Sequence, residues 1–244
     1  MSTVMAPILR FARGRRLAGA SSPGWRRYLV AMASDQNSSS ERTQAFDLDR
    51  TISLSDGIFA FALTLLVLSI SVPEIAASSS SSELWTALKE RQGEIISYLI
   101  SFAVIGGFWI RHHKFCGMLK SVDGPFLVIN LIYLATIAFI PYPTQLLGDF
   151  GNAAAFSFYA AAISISILAS AALNEHALHS KLFATPRTRD ETKEVRISGG
   201  LVAAGFIVSI PIVLLTNDLW LGYLCWFIGP NVRLLRRERS SGEH

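Results

Sequence analysis

The chain has 244 residues, of which 51% are hydrophobic and 16% are charged, with a formal net charge of +4 at pH 7. Soluble domains usually carry about 25% charged residues, and disordered chains combine low hydrophobicity with high net charge, so the composition argues against both classes. Cys116 and Cys225 are too few for a disulfide framework and have no metal-ligand spacing, so the cysteines predict no metal site. No cofactor is predicted.

The first 45 residues differ from everything that follows. Six arginines, beginning with Arg10, precede the first acidic residue, Asp35. Arg-rich, acid-free leaders that contain Ser and Ala resemble organellar transit peptides, and the alternative is that Met32 rather than Met1 is the true start. The predicted organisation is a disordered or mis-annotated leader at 1–45, a membrane domain at 46–239 and a short tail at 240–244.

Six long runs without Asp, Glu, Lys or Arg follow the leader. They are Gly57–Pro73, Ile95–Ile110, Gly124–Gly148, Gly151–Asn174, Ile197–Asn217 and Leu219–Val232. A transmembrane helix needs about 20 apolar residues, and the first two runs reach this length through their polar ends. The sixth run is short, which leaves a buried core helix as the alternative, but snorkelling of Arg233 favours a span. The sequence predicts an all-α, integral membrane subunit with six transmembrane helices.

Basic residues are distributed unevenly between the flanks of these runs. The segment through Arg50 has eight, the flank 111–120 three, the loop 181–196 five and the tail 233–239 four, together 20 of the 22 basic residues. The other two are Lys89 and Arg91. Because cytoplasmic loops are enriched in Lys and Arg, six spans with both termini cytoplasmic explain the positive charge without a nucleic-acid partner.

The first span carries a carboxylate, Asp56, about one turn from its cytoplasmic end, where a charge needs partners. The predicted topology brings the end of the second span and the start of the third to the same side. Trp109 and His113 are four residues apart and share a helix face, and Asn130 lies about two turns into the third span. Their donors can satisfy Asp56 and Ser55, which predicts a polar cluster that pins the helices together.

Two functional interpretations of this cluster stay open beside the structural one. Histidine side chains can change charge near physiological pH, which makes His113 a candidate proton sensor or gate, and the adjacent pair His112 and His113 is a weak candidate for a metal site. The chain contains no HExxH, Walker or GxSxG motif. Enzyme chemistry is therefore unsupported by the sequence.

One face of the first span is lined by large apolar side chains. Phe61, Leu65 and Leu68 are spaced at i, i+4 and i+7 and fall within about 60° of each other on a helix of 100° per residue. Thr64 flanks this stripe. By itself, such a stripe on a membrane helix more often faces lipid or packs against another helix than lines a pore.

The motif Arg-x-x-x-Leu-Ser-Asp-Gly at 50–57, followed by Phe-Ala-Phe-Ala-Leu-Thr-Leu-Leu-Val-Leu, resembles the first-helix signature of a known channel family. This is the endolysosomal potassium channel family, transmembrane protein 175, with its single-repeat prokaryotic members, where the signature reads Arg-x-x-x-Phe-Ser-Asp. Three further pieces agree in order: Ser97–Phe102 leading to Phe108–His113, Asn130–Leu134 leading to Pro141–Thr144, and Pro230–Arg237. The resemblance covers about residues 46–239.

The resemblance implies that single-repeat subunits assemble as a homotetramer whose first helices line a central pore. It implies that the pore constriction is formed by Phe61, Leu65 and Leu68, with Thr64 as a possible selectivity residue beside it. It also implies that the signature residues bond to the Trp and His of the second helix, so the polar cluster comprises Arg50, Ser55, Asp56, Trp109, His113 and Asn130. Two positions depart from the family pattern: Leu54 replaces the signature Phe, and Phe61 stands where the constriction usually has Ile or Leu.

Taken together, these features predict a potassium-conducting cation channel in a prokaryotic plasma membrane. Its partners are K⁺ ions, the lipid bilayer and further copies of the chain. The alternative function is a proton- or ion-coupled transporter that uses Asp56 and the pair His112 and His113. The chain lacks a Thr-Val-Gly-Tyr-Gly filter, so selectivity by a ring of backbone carbonyls of that kind is excluded.

Overall fold

The structure, a computed structural model, describes residues 47–76 and 80–226 together with the single residue Ala31. Every regular element in this part of the chain is a helix. They are α1 (47–65, continued by the 3₁₀ turn Leu66–Ser69), α2 (Ser81–Glu90), α3 (Gln92–Cys116), α4 (Gly124–Phe139), α5 (Pro141–Phe150), α6 (Ala153–His179), α7 (Arg189–Thr216) and α8 (219–226 as described).

Five stretches are long and apolar enough to cross a membrane: Asp47–Ser69, Gln92–Cys116, Gly124–Phe150, Ala153–His179 and Arg189–Thr216. They coincide with the first five predicted spans. Helix α8 begins where the sixth span is predicted, but residues 227–232 lie outside the described part, so the count of six remains a prediction. The predicted tail at 240–244 and the predicted leader at 1–45, apart from Ala31, also lie outside it.

Local sequence signals set the helix boundaries. Ser80 caps α2 and Thr188 caps α7, each in a capping box with the Glu three residues later. Asp123 accepts a hydrogen bond from the Phe126 backbone N–H at the start of α4, and Asn152 does the same for Ala155 at the start of α6. These caps satisfy backbone donors that a helix leaves unpaired at its first turn.

The third candidate span consists of two helices rather than the single run that the sequence predicts. Helix α4 ends at Phe139, and α5 begins at Pro141, which has no N–H for the hydrogen bond that a continuous helix would need there. The break lets α5 pack against α3, while α4 packs against α6. A second break lies within α1, where the helix tightens into the 3₁₀ turn and packs against α3 and α5.

The core between the helices is rich in aromatic side chains. Phe59 of α1, Phe108 of α3 and Tyr133 of α4 are fully buried, and the Tyr133 ring contacts the other two in a tilted and an edge-on arrangement. A second group lies between α6, α7 and α8, where Trp226 stacks on Phe156 and Phe206 at centroid distances of 4.8 and 4.7 Å. Aromatic side chains bury a large apolar area each, so these rings are major contributors to the core.

Helices α3 and α5 are in close contact at Gly148. A Cβ added there would lie 2.8 Å from Ser97 Oγ and 2.9 Å from Glu94 Cα, which is closer than packed atoms tolerate. Small residues permit such backbone contacts between membrane helices.

We therefore expect Gly148→Ala to lower the thermal stability of the purified protein, by about 1–3 kcal/mol in the free energy of unfolding, because the helices must move apart. Gly106→Ala is the matched control, since a Cβ at Gly106 meets nothing within 4 Å and Ala favours the helix. Equal melting temperatures for the two variants would show that the α3–α5 contact is not tight.

Candidate functional site

Helix α1 has one face in the core and one face that the described part of the subunit leaves uncovered. Phe59, Ala62 and Leu66 are at most 1% exposed and pack inward, at the 3–4-residue spacing of one helix face. On the other face, Phe61 is 59% and Leu68 is 70% exposed. A membrane subunit that leaves a complete helix face uncovered must present it to lipid, to another subunit or to a pore.

The residues predicted to form the constriction lie on or beside this uncovered face. Phe61 and Leu68 are exposed on it, Leu65 is half-buried at its edge, and Thr64 is exposed between them. The Thr64 hydroxyl donates to the Phe61 carbonyl oxygen at 2.8 Å. Leu68 belongs to the 3₁₀ turn, in which residues three apart eclipse each other, so Leu65 and Leu68 follow each other along one line.

The predicted cluster at the opposite end of α1 contains two separate hydrogen-bonded pairs. Trp109 Nε1 of α3 donates to Asp56 Oδ1 at 2.9 Å. Asn130 Nδ2 of α4 donates to Ser55 Oγ at 3.2 Å, and Ser55 Oγ donates in turn to the Thr51 carbonyl oxygen at 2.8 Å. Asp56 therefore joins α1 to α3, and Ser55 joins α1 to α4.

The two neighbouring histidines occupy different environments because adjacent helix residues point about 100° apart. His113 lies beside the Trp109 ring at a centroid distance of 5.5 Å, and no hydrogen bond joins it to Asp56 within the described residues. His112 is 5% exposed, packs 5.3 Å from the Tyr133 ring and lies 3.5 Å from Cys116 Sγ. Over the described residues, no group of three or more His, Cys, Asp or Glu side chains is placed to hold a metal.

The remaining member of the predicted cluster, Arg50, is exposed in the first described turn of α1. The same signature that contains Arg50 also contains Leu54, which is 49% exposed. Neither side chain is packed into the core of the subunit.

Two buried polar groups that the sequence reading did not single out fix the other end of the bundle. Glu94 of α3 is 6% exposed, forms an ion pair with Arg91 at 2.9 Å and accepts a hydrogen bond from the Ser71 backbone N–H at 2.6 Å. This contact holds the segment after the 3₁₀ turn against α3. The sequence feature that could have indicated this contact is Glu94 itself, a single acidic residue about one turn into an apolar helix.

The second group is a buried chain of hydroxyls between α3, α5 and α6. Thr144 Oγ1 donates to Ser101 Oγ at 2.8 Å, and Ser101 Oγ donates to the Tyr159 hydroxyl at 3.1 Å. All three side chains are fully buried. Because each hydroxyl both donates and accepts, the chain satisfies polar atoms that would otherwise be costly at this depth.

A third contact that was not predicted joins the start of α4 to the end of α6. His176 Nε2 lies 2.8 Å from Asp123 Oδ1, the residue that caps α4. Partial desolvation raises the pKa of Asp123, but hydrogen bonds from His176 and from the Phe126 backbone N–H outweigh it and hold the pKa below its ordinary value. Asp123 therefore stays ionised and links two helices at this end of the bundle.

Comparison with known proteins gives a consistent picture. The family described as endosomal/lysosomal potassium channel TMEM175 matches residues 50–141, which include nearly all of α1 and the whole of α2, α3 and α4. A potassium channel of Streptomyces collinus is 30% identical over 191 residues, which cover 75% of this chain and 91% of that protein. A potassium channel of Chamaesiphon minutus is 29% identical over 184 residues, covering 69% of this chain and 87% of that protein.

A solved structure agrees with these relatives. The crystal structure of a lysosomal potassium-selective channel TMEM175 homolog from Chamaesiphon minutus superposes with a TM-score of 0.65 and 26% identity, covering 78% of this chain and 97% of that chain. The similarity to the Streptomyces collinus channel extends over nearly the whole of that relative, and the helical fold is shared. The chain therefore belongs to the TMEM175 potassium channel family, a family of membrane ion channels.

Proposed function

We propose that the chain is the subunit of a potassium-conducting channel in which four copies surround a pore lined by α1. The observation that carries the proposal is the uncovered face of α1, where Phe61 is 59% and Leu68 is 70% exposed while the opposite face is buried in the subunit. The relatives named potassium channels add independent support. A single α1 cannot enclose a pore, so several copies must contribute their first helices.

The proposed selectivity mechanism is a hydrophobic constriction formed by Phe61, Leu65 and Leu68 from each subunit. An apolar ring offers no oxygen ligands to replace the water that an ion loses on entry. K⁺ holds its hydration shell less tightly than Na⁺, so K⁺ crosses such a ring at lower cost. Thr64 contributes at most a hydroxyl oxygen, because its proton is directed to the Phe61 carbonyl.

The carrier alternative, which relies on Asp56 and the two histidines, fits this geometry less well. Asp56 is bonded to Trp109, His112 is enclosed by aromatic rings, and His113 lies on the Trp109 side of α3. The three side chains do not converge on one cavity in which a substrate or coupling ion would bind.

Reconstitution tests the channel proposal directly. Purified protein in liposomes loaded with K⁺ should support a K⁺ flux larger than the Na⁺ flux, and planar-bilayer recordings should show unitary current steps. Absence of current steps together with a saturable, proton-dependent flux would contradict the channel and favour a carrier. Native mass spectrometry of the same preparation should give the mass of four chains.

We further propose six spans with both termini in the cytoplasm, on the basis of the uneven distribution of basic residues. In a background of Cys116→Ser and Cys225→Ser, Ser82→Cys should react with an impermeant maleimide added outside intact cells. Thr185→Cys should react only after the cells are opened. Both positions are exposed, and the reverse pattern of labelling would contradict the proposed orientation.

A further inference from the structure

A cavity of about 400 Å³ lies between the end of α3, the second half of α6 and the first half of α7. It does not involve the uncovered face of α1. Four basic side chains line it: Arg111, Lys114, Arg187 and Arg196. The cavity is therefore a feature separate from the proposed ion pathway.

The positive charges in this cavity exceed the negative ones. Glu175 also lines the cavity, but both its oxygens accept from the Arg196 guanidinium. Arg111 lies over the Phe108 ring and Arg187 over the Phe183 ring, and within the described residues neither Arg nor Lys114 forms an ion pair with a carboxylate. Among residues 47–76 and 80–226, three cations thus face one cavity without a carboxylate partner.

Two polar atoms beside this cavity are buried and have no hydrogen-bond partner in the described part of the chain. They are Arg187 Nη1 and Asn174 Oδ1. The other terminal nitrogen of Arg187 donates to the Met118 sulfur at 3.2 Å, which is a weak acceptor. An unpaired buried guanidinium donor is costly, and the oxygens of a phosphate would satisfy it with charge-assisted hydrogen bonds. By rotating its amide, Asn174 would offer a further donor.

The deeper wall of the cavity is apolar. Ile167 and Leu168 of α6 and Ala203 of α7 line it, within stretches that are apolar enough to span a membrane. Leu168 is 56% exposed, so this wall continues onto the outer surface of the bundle. A ligand that fits both parts must have an anionic head and a hydrocarbon body.

We propose that this cavity binds an anionic phospholipid, with its phosphate held by Lys114, Arg187 and Arg111 and its acyl chains along α6 and α7. Basic pockets between transmembrane helices commonly receive such headgroups. A soluble phosphate would satisfy the same donors, but it would leave the apolar wall unoccupied. The bound lipid would connect α3 to the helix pair α6–α7.

Glycine residues of α7 leave room for the ligand. Gly199 and Gly200 both line the cavity, and a Cβ added at either position meets nothing within 4 Å. A larger side chain at Gly200 would therefore extend into the cavity without a clash at Cβ. Gly200→Leu fills the site and leaves every basic residue in place.

The test uses the full-length protein in detergent, titrated with dioleoylphosphatidylglycerol, dioleoylphosphatidylcholine or inorganic phosphate and followed by native mass spectrometry. Wild-type protein should bind phosphatidylglycerol at least about fivefold more tightly than phosphatidylcholine. Lys114→Gln should weaken phosphatidylglycerol binding about fivefold, since one basic residue near anionic lipid contributes about 1 kcal/mol. Gly200→Leu should abolish the preference.

Arg189→Gln is the matched control, because Arg189 lies on the same helix and does not line the cavity. Equal binding of both lipids to the wild-type protein would overturn the proposal, as would an equal loss in Arg189→Gln and Lys114→Gln. Saturation by inorganic phosphate without a preference for phosphatidylglycerol would assign the cavity to a soluble anion instead. If Gly200→Leu does not fold, Lys114→Gln alone tests the lipid proposal, because Lys114 is exposed and its substitution should leave the fold intact. None of these outcomes affects the channel proposal.

Discussion

Truncation of Phe61 or Leu65 to Ala is expected to raise the single-channel conductance and to bring the K⁺/Na⁺ permeability ratio towards one. In the proposed mechanism an apolar ring discriminates between ions by the cost of dehydration, so removal of its bulk would lower that cost for both ions. If the ring contributes about 1.4 kcal/mol to the discrimination, the ratio falls about tenfold. Bi-ionic reversal potentials and unitary currents from reconstituted protein measure both quantities.

The structure decides which variant is the proper control for this experiment. Leu66 lies about 100° around the helix from Leu65, which makes it the obvious choice from the sequence. It is, however, fully buried, so Leu66→Ala would create a cavity at about 2–5 kcal/mol and would report on folding. Phe102→Ala is preferable. Phe102 is 45% exposed on α3, and this substitution removes the same phenyl ring as Phe61→Ala.

Thr64→Ala separates the two possible selectivity mechanisms. With a hydrophobic constriction, loss of the Thr64 hydroxyl changes the permeability ratio little, because that hydroxyl already donates within its own helix. If Thr64→Ala abolishes K⁺ preference while Phe61→Ala and Leu65→Ala retain it, oxygen atoms select the ion. The hydrophobic mechanism would then be wrong, although the protein would still be a channel.

The sequence predicts the spans well because they depend on a one-dimensional property, the absence of charge over about 20 residues. It does not predict the break at Pro141, since the uncharged run continues on both sides of it. The starts of α6 and α7 depend on caps at Asn152 and Thr188. Asn152 lies inside the uncharged run Gly151–Asn174 and Thr188 lies before the run Ile197–Asn217, so neither start coincides with the start of a run. Hydropathy therefore locates the membrane segments, and capping chemistry sets their ends.

The candidate site likewise has a part that the sequence predicts and a part that depends on how the helices pack. The proximity of Asp56 to Trp109 follows from topology and helix periodicity. Other details depend on how far α3 and α4 are rotated about their axes. These details are the partner of Asn130 and the different environments of His112 and His113. Packing of the buried rings Phe59, Phe108 and Tyr133 fixes that rotation. The basic cavity could not be predicted, because it needs three helices and a loop in their final positions.

Asp56→Ala is expected to lower the yield of the assembled channel more than it changes the permeability ratio. Asp56 accepts from Trp109 Nε1 at 2.9 Å and lies on a different side of α1 from Phe61, about 140° away. Hydrogen bonds to charged groups contribute about 1.5–3 kcal/mol, and partial exposure of Trp109, at 38%, reduces that value here. The fraction of protein that elutes as an oligomer and its melting temperature are the measurements.

A double-mutant cycle isolates this bond from other effects of losing Asp56. Trp109→Phe removes only the N–H donor and keeps an aromatic ring beside His113, so Asp56→Ala and Trp109→Phe should be non-additive by about 1 kcal/mol. Trp85→Phe is the matched control, because Trp85 is 65% exposed on α2, away from the cluster. Normal assembly of Asp56→Ala with an altered ion preference would instead place Asp56 on the ion pathway. The carboxylate would then act on the permeating ion rather than on the contact between α1 and α3.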